Sequence, residues 1–296
     1  MSTAALAQPG ILETIPAQAR YLAFQRRPGA DPRASLRALA AQADGTTCVV
    51  GLGPSLIGEF RAPVHGLRPY KGIEGAQVKL PATPVDLLIW LRGSDRGELL
   101  LRSQSLQEAL GGAFELESVT DAFNHAGGKD LTGYEDGTEN PEGDAAHAAA
   151  LVASGAPALH GSSFLALMRW RHHMSRFGAM PSQQQDHVFG RERKSNEEID
   201  DAPESAHVKR TAQENFEPQA FVLRRSMPWA DGTEGGLMFA AFGCSLSAFE
   251  AQLRRMSGAE DGIVDALFSF TEPQSGAYFW CPPMRDGQLN LSAIGL

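Results

Sequence analysis

The sequence predicts an α+β protein that contains two copies of one ferredoxin-like unit. In the first half of the chain the predicted elements follow the order β-α-β-β-α-β, and the second half repeats that order. The length of 296 residues, with 43% hydrophobic and 21% charged residues, suits a globular chain of roughly two domains. We therefore expect a duplication in which the two sheets, or their helices, pack against each other.

The first unit contains two helices whose ends carry clear sequence signals. Asp31 is a suitable N-cap, and Pro32 stands at the first helical position, where a missing N–H costs nothing. Gly111-Gly112 ends the second helix. The predicted elements are strand 19–25, helix 31–43, strands 46–52 and 86–91, helix 96–110 and strand 114–123.

The second unit repeats this order around a long polar insertion. Its first strand alternates, so that the even-numbered residues from Phe164 to Trp170 share one apolar face. Ser247 is predicted to cap a helix that ends at Met256. The predicted elements are strand 163–172, helix 182–188, the insertion 190–217, strands 221–227 and 237–242, helix 247–256 and strand 276–280. These assignments divide the chain into an N-terminal unit (1–130), a linker (131–161) and a C-terminal unit (162–296).

Charge and cysteine content argue against several classes of protein. The 26 basic and 35 acidic residues give a net charge of −9, whereas a broad nucleic-acid interface requires a basic face. No apolar run approaches the roughly 18 residues of a membrane helix, and Arg26-Arg27 is a poor export signal. Three cysteines far apart in the sequence, Cys48, Cys244 and Cys281, are expected to be buried thiols in a reducing compartment. The sequence predicts a cytoplasmic protein.

The segment Gly133–Pro141 places one acid, Asp136, in a tight loop between glycines. Glycine allows positive φ and close backbone approach, and Pro141 prevents a helix from continuing through its position. The same residue types form ordinary surface turns. The segment alone therefore leaves both a turn and a functional loop open.

His207 is the histidine whose surroundings best suit a ligand. It follows the acidic segment 200–204, a predicted helix start, and precedes Val208-Lys209-Arg210. A lone histidine on a short helix suits a metal that brings its other ligands with it, as haem does. His172 and His173 are strand neighbours and point to opposite faces, so they cannot easily share a ligand.

A basic strand at 222–228 is the third candidate. Alternation places Arg224 and Ser226 on one face, where a permanently charged guanidinium could stabilise an anion in a cleft. Solvated charges at a sheet edge would leave the same pattern. The sequence contains no zinc-protease, Walker, dinucleotide-binding or serine-hydrolase motif.

Together the three segments resemble the dye-decolorising peroxidases (DyP-type haem peroxidases), and the length and absence of an export signal are similar to the bacterial type B branch. Residues 133–141 match the Gly-x-x-Asp-Gly signature of that family, 206–210 the proximal histidine region and 223–228 the distal arginine strand. The resemblance covers nearly the whole chain. It implies two ferredoxin-like units in a dimeric α/β barrel-like arrangement, with haem b (iron protoporphyrin IX) held mainly by the second unit.

On the proximal side, the resemblance implies that His207 is the axial iron ligand. Asp265 lies where the family places an acid bonded to the proximal imidazole, which makes the histidine more electron-donating. Arg191 is a candidate partner for a haem propionate.

On the distal side, the resemblance implies that Asp136 and Arg224 act together on bound peroxide. Ser226 stands at a position that is asparagine in some members, and it is a candidate for hydrogen bonding to peroxide or water. Gly137 and Thr138, beside the acid, are candidate cofactor-binding residues.

The implied function is reduction of hydrogen peroxide through an oxo-ferryl intermediate, with oxidation of dyes, phenols or other one-electron donors. A haem-binding or haem-handling protein with incidental peroxidase activity is the alternative. The loop 133–141 argues against the chlorite-dismutase-like relatives of this fold, and a duplicated binding module without a cofactor is a further alternative. The resemblance also implies a homo-oligomer. Some type B members carry a C-terminal peptide that docks to an encapsulin shell, but we interpret the tail 289–296 as packed structure or a frayed end.

Overall fold

The computed structural model describes residues 3–60 and 62–296. The α-helices are α1 (Pro9–Leu12), α2 (Arg33–Gln42), α3 (Pro54–Gly58), α4 (Arg96–Leu110), α5 (Gly143–Ala150), α6 (Met174–Gly178), α7 (Ser182–Phe189), α8 (His207–Thr211) and α9 (Ser247–Met256). The strands are β1 (Gln18–Arg26), β2 (Cys48–Leu52), β3 (Leu87–Gly93), β4 (Phe114–Phe123), β5 (Ser163–His172), β6 (Leu223–Arg224), β7 (Met227–Asp231), β8 (Glu234–Gly243), β9 (Thr271–Pro273), β10 (Ala277–Cys281), β11 (Met284–Arg285) and β12 (Gln288–Leu289). Short 3₁₀ helices lie at Thr3–Leu6, Pro157–Leu159, Gln213–Asn215, Ala266–Ser269 and Ser292–Ile294.

Eight antiparallel strands close into one barrel in the order β8-β7-β4-β1-β3-β2-β10-β5, and β5 pairs back onto β8. Each half contributes four strands in the same relative order, β4-β1-β3-β2 and β10-β5-β8-β7. This repeated order confirms the α+β fold of two ferredoxin-like units. The halves meet at two seams, where Ala122 pairs with Trp229 and Leu52 with Trp280. The boundaries at 130 and 162 fall between β4 and β5, and the division into separate domains stays a prediction.

Strand alternation sorts the core into two layers. On β5 the even-numbered residues from Phe164 to Trp170 join the layer beneath helices α2, α4 and α9, as predicted. Leu165 and Leu167 point the other way, into a second layer to which strands of both halves contribute. This second layer fills the barrel with large side chains, among them Trp90, Trp229 and Phe279.

Local signals predicted several element boundaries well. Helix α4 and strands β4 and β5 have the predicted bounds, and the Asp95 side chain caps α4 by accepting a hydrogen bond from the Glu98 N–H. Helix α2 begins at Arg33 with Pro32 as its N-cap, so the prediction of Asp31 as N-cap is wrong, although the Asp31 carboxylate bonds the Arg33 N–H. Ser247 makes no side-chain cap bond, so that part of the prediction is wrong.

The structure corrects two expectations, one on a strand and one on a cysteine, and it supports the interpretation of the tail as packed structure. The predicted strand 221–227 is broken into the two strands β6 and β7. Cys48 and Cys281 are buried, but Cys244 is exposed, because it lies in the turn that follows β8. In the tail, Leu289, Leu291 and Ile294 are buried against the core. Within the described residues, the helices are all too short or too polar to cross a lipid bilayer.

Candidate functional site

A cavity of about 1470 Å³, measured with the space at its mouth, lies in the second half of the chain. The residues that line it all fall between Asp130 and Thr271. One wall is apolar and consists of Met168, Trp170, Leu237, Phe239, Phe249, Leu253, Met256, Leu267 and Phe270. The motif residues Asp136, Thr138, Arg191, His207 and Arg224 also line it.

His207 begins the short helix α8, and the buried Asp265 fixes its ring. The Nδ1–H donates to Asp265 Oδ2 at 2.7 Å, while the other carboxylate oxygen accepts from the Leu267 N–H at 2.8 Å. Asp265 is 1% exposed, so both of its oxygens are committed to these bonds. With the proton on Nδ1, the lone pair of Nε2 is left for a ligand, and within residues 3–60 and 62–296 no protein group bonds that atom. This arrangement is typical of a metal-ligating histidine with an outer carboxylate.

Asp136 and Arg224 face each other across the cavity. Arg224 Nη1 lies 3.8 Å from Asp136 Oδ1, which is an ion pair without a hydrogen bond. In the described part of the chain neither side chain makes a hydrogen bond, so both keep their full capacity for a ligand. A base and a cation thus meet in one pocket.

The loop that carries Asp136 is held by its own backbone and by Tyr134. Gly133 has φ of +87°, and its N–H bonds the Asp130 carbonyl at 2.8 Å in a turn. The Tyr134 ring stacks on Phe189 at 3.9 Å, and its hydroxyl donates to Asp186. The positive φ explains the glycine, since a side chain would strain that turn.

A buried pair, Asp130 and His172, anchors the start of this loop to β5. His172 Nε2 lies 3.0 Å from Asp130 Oδ1, and Nδ1 lies 2.7 Å from the Thr271 hydroxyl. The other Asp130 oxygen accepts from the Thr132 N–H and hydroxyl at 2.9 and 2.6 Å. Burial acts to raise the pKa of Asp130, but the bond and charge of His172 and the bonds from Thr132 outweigh it, so the pKa is lowered.

Asp130→Asn should therefore destabilise the fold at pH 7 by about 3 kcal/mol, because it breaks a buried pair. A lowered folded-state pKa means that the carboxylate stabilises the fold above its unfolded value of about 3.9 and loses that effect as pH falls through the folded value. The gap between the variant and the native chain in free energy of unfolding should thus shrink between pH 5 and pH 2. Urea unfolding across this range measures it, with the exposed Asp144→Asn as control. A gap that stays constant with pH would contradict the assignment.

Arg191 and Thr138 line the cavity, and both already have partners. Arg191 binds the Glu139 carboxylate and reaches Glu198 at 3.4 Å. The Thr138 hydroxyl accepts from Asn196 Nδ2 at 2.9 Å. An incoming carboxylate would have to compete with Glu139 for Arg191, and both cofactor-binding roles stay predictions.

The structure does not bring Ser226 into the cavity lining. In a regular antiparallel ladder the Ala240 N–H would bond the Arg225 carbonyl. Here it donates to the Ser226 hydroxyl at 3.4 Å, at the break between β6 and β7. The expectation that Arg224 and Ser226 share a face assumed an unbroken strand, and the break is the reason for the difference. The proposed bond from Ser226 to peroxide is untested.

The side chains that line this cavity fit a haem. Within the described residues no cluster of three His, Cys, Asp or Glu side chains could hold a bare metal ion. His207 instead offers one nitrogen, which suits an iron that already has four ligands from a macrocycle. The apolar wall matches the faces of a porphyrin, and the Arg191 guanidinium in the lining matches its carboxylates.

Sequence reasoning missed the residues that hold the site together. His172 was set aside as half of an unusable histidine pair, and alternation does send His173 away, toward Glu272. Nothing in the sequence places Asp130 opposite His172, because the two are 42 residues apart. Asn140 stands in the loop segment 133–141, but asparagine in such a segment is equally typical of an ordinary turn.

Comparison with known proteins agrees with this geometry. The family model described as "Dyp-type peroxidase, C-terminal" matches residues 128–286, which begin just before the distal loop and include the whole cavity. A dye-decolorizing peroxidase of Rhodococcus erythropolis is 30% identical over 248 residues, covering 81% of this chain and 73% of the relative. One from Brevibacterium linens is 28% identical, covering 82% and 68%.

Solved structures extend the similarity to the first half of the chain. A dyp-type peroxidase protein from Shewanella oneidensis superposes with a TM-score of 0.86 at 27% identity, covering 93% of this chain and 95% of its own. A DypB variant of Rhodococcus jostii RHA1 in complex with haem superposes with a TM-score of 0.84 at 25% identity, covering 95% and 97%. The fold, the cavity and these matches agree, and the chain belongs to the Dyp-type peroxidase family.

Proposed function

We propose that this cavity binds haem b, which His207 would hold through Nε2 on the iron, and that Asp136 and Arg224 are the pair that acts on hydrogen peroxide. One observation carries the proposal: a histidine fixed by a buried carboxylate keeps Nε2 for a ligand. Its cavity also contains the Asp136 carboxylate and the Arg224 guanidinium, which in the described part of the chain make no hydrogen bonds. As a member of its family, the protein is a haem peroxidase that acts on dyes. When bound, the haem supplies the electrons that cleave the O–O bond and then recovers them singly from a reductant.

On the proximal side, Asp265 determines which nitrogen of His207 can bind iron. By accepting a hydrogen bond from the Nδ1–H, Asp265 holds the ring in one tautomer and orientation. The negative charge of the carboxylate makes Nε2 a stronger electron donor. The Leu267 N–H on the other oxygen keeps the carboxylate in place.

On the distal side, Asp136 and Arg224 divide the work of O–O cleavage. Hydrogen peroxide must lose a proton from one oxygen and gain it on the departing oxygen, which leaves as water. The Asp136 carboxylate accepts that proton and returns it, directly or through water. Arg224 stays charged and stabilises the negative charge that grows on the oxygens as their bond breaks.

Absorption spectroscopy tests the proposal. Titration of the purified chain with haem should give a Soret band that saturates at one equivalent, and one equivalent of hydrogen peroxide should change that spectrum. Turnover of a dye or phenol should follow. Weak peroxidation together with transfer of haem to an acceptor protein would instead favour the haem-handling alternative, and failure to bind haem would refute the proposal.

Three finer assignments stay predictions. The first is the type B branch, which only the resemblance of the sequence implies. Assembly as a homo-oligomer can be checked by light scattering, and the cytoplasmic location by fractionation. The buried tail residues Leu289, Leu291 and Ile294 favour packed structure over encapsulin docking.

A further inference from the structure

We infer that Asn140 is a positioning residue, whose side-chain amide sets the separation of Asp136 and Arg224. The inference rests on the proposed function, in which those two side chains act together on hydrogen peroxide. It gives Asn140 a role beyond the formation of the turn in loop 133–141.

Asn140 binds both backbone groups of Arg224. The Arg224 N–H donates to Asn140 Oδ1 at 2.7 Å, and Asn140 Nδ2 donates to the Arg224 carbonyl at 3.1 Å. Because a backbone N–H can only donate, the orientation of the amide is determined without ambiguity. The side chain thus pairs with Arg224 as a neighbouring strand would.

The two hydrogen bonds of Asn140 fix the position of Arg224 relative to the loop, which the ion pair with Asp136 does not do. At 3.8 Å and without a hydrogen bond, the contact between Arg224 and Asp136 does not define the position of either group. The Asn140 amide instead ties the backbone of one partner to the loop of the other, four residues beyond Asp136. A carboxamide does not titrate, so these two bonds do not depend on the protonation of Asn140.

Gly137 makes room for this amide. The Asn140 N–H bonds the Gly137 carbonyl at 2.9 Å, which folds the loop back on itself. Gly137 has φ of +86°, and a Cβ at this position would lie 2.7 Å from Asn140 Nδ2. Gly137 therefore serves the site through Asn140.

A buried amide, that of Gln213, joins the same loop to the segment that carries His207. Its Nε2 donates to the Glu139 carbonyl at 2.7 Å, and its Oε1 accepts from the Val222 N–H at 2.9 Å. Gln213 is 5% exposed and follows helix α8 by two residues. Glu139 is thus bonded to the segment that carries His207, and its neighbour Asn140 is bonded to the strand that carries Arg224.

A double-mutant cycle tests the inference through the rate at which the haem-loaded protein reacts with hydrogen peroxide. Asn140→Ala should slow this reaction by about tenfold or more, because small displacements of reacting groups cost that much. In an Arg224→Ala or Asp136→Ala background the separation no longer matters, so the same change should cost less than about twofold. Asn140→Asp keeps an acceptor for the Arg224 N–H and should fall between; it completes the cycle if the alanine variant does not fold.

Equilibrium binding of fluoride to the ferric haem, followed in the Soret band, gives a readout separate from turnover. Asn140→Ala should weaken fluoride binding in the native background and leave it nearly unchanged in Arg224→Ala. Gln8→Ala is the matched control. Gln8 makes the same two-point bond to a backbone, at 2.7 and 2.9 Å to Val50, away from the cavity. It should lower thermal stability and alter neither the peroxide rate nor the fluoride affinity.

The outcomes separate the inference from the proposed function. Native rates in both Arg224→Ala and Asp136→Ala would refute the distal pair itself. Slow reaction in those two variants with a native rate in Asn140→Ala would overturn the inference alone. Equal losses from Asn140→Ala in every background would also overturn it, since the residue would then act independently of the pair.

Discussion

His207→Ala should lose haem affinity by roughly a hundredfold or more. Removing an outer partner of a metal ligand already costs about 10–100-fold, so removing the ligand itself must cost at least as much. The cavity and its apolar wall would remain, and a haem that still enters would have no protein ligand on the iron. Haem titration followed in the Soret band measures the loss, and added imidazole should restore the native band by filling the space left by the ring.

Two variants make the test of the proximal side specific. His65→Ala removes an exposed histidine outside the cavity and should bind haem normally. Asp265→Asn keeps the size of the side chain but removes its charge, so haem should bind about tenfold more weakly, with a higher reduction potential. Native haem affinity in His207→Ala would show that another group binds the iron.

Arg224→Ala and Asp136→Ala should each slow the reaction with hydrogen peroxide by about a hundredfold or more while haem stays bound. Loss of one donor to a developing anion costs about 10²–10³ in rate, and loss of a general base about 10²–10⁴. Because both side chains are free of other hydrogen bonds in the described part of the chain, their removal leaves few partners unsatisfied and should change the fold little. Stopped-flow spectroscopy of the haem-loaded variants measures the rates.

Conservative variants separate charge from geometry at the distal side. Arg224→Lys keeps the charge but loses the planar fork, and it should recover only part of the rate. Asp144→Ala removes a fully exposed carboxylate and serves as the control for Asp136→Ala. A variant that loses haem together with its peroxide reaction would point to a structural role for that residue.

Local signals in the sequence predicted most of the fold. Helix α4 has the predicted bounds because Asp95 caps its start and glycines follow its end, and β5 because its apolar alternation is unbroken. The order of elements was enough to predict two ferredoxin-like units. Whether the two sheets would remain separate or pair into one barrel depends on contacts between the halves, such as Leu52 with Trp280, which no local pattern encodes.

Short motifs in the sequence indicated the candidate residues that would carry the chemistry. Little in the sequence indicated the residues whose hydrogen bonds hold the site together. Asp136, His207 and Arg224 were found from short segments, and they lie in one cavity. Alternation failed for Ser226 because the strand breaks after Arg224. At this break the Ser226 hydroxyl accepts a hydrogen bond from the Ala240 N–H of β8. Asp130 bonds His172, 42 positions away, and Gln213 bonds Glu139 and Val222, 74 and 9 positions away, so composition and spacing could not indicate these anchors.

The limits of the cavity determine how the cofactor can enter. Its lining lies entirely within residues 130–271, and the barrel beside it is closed by strands of both halves. A haem can therefore reach its ligand without any opening of the barrel. The segment 190–217 contributes both Arg191 and His207 to the lining. In the proposed function, one stretch of chain would thus supply both the histidine that binds the iron and an arginine for a haem carboxylate.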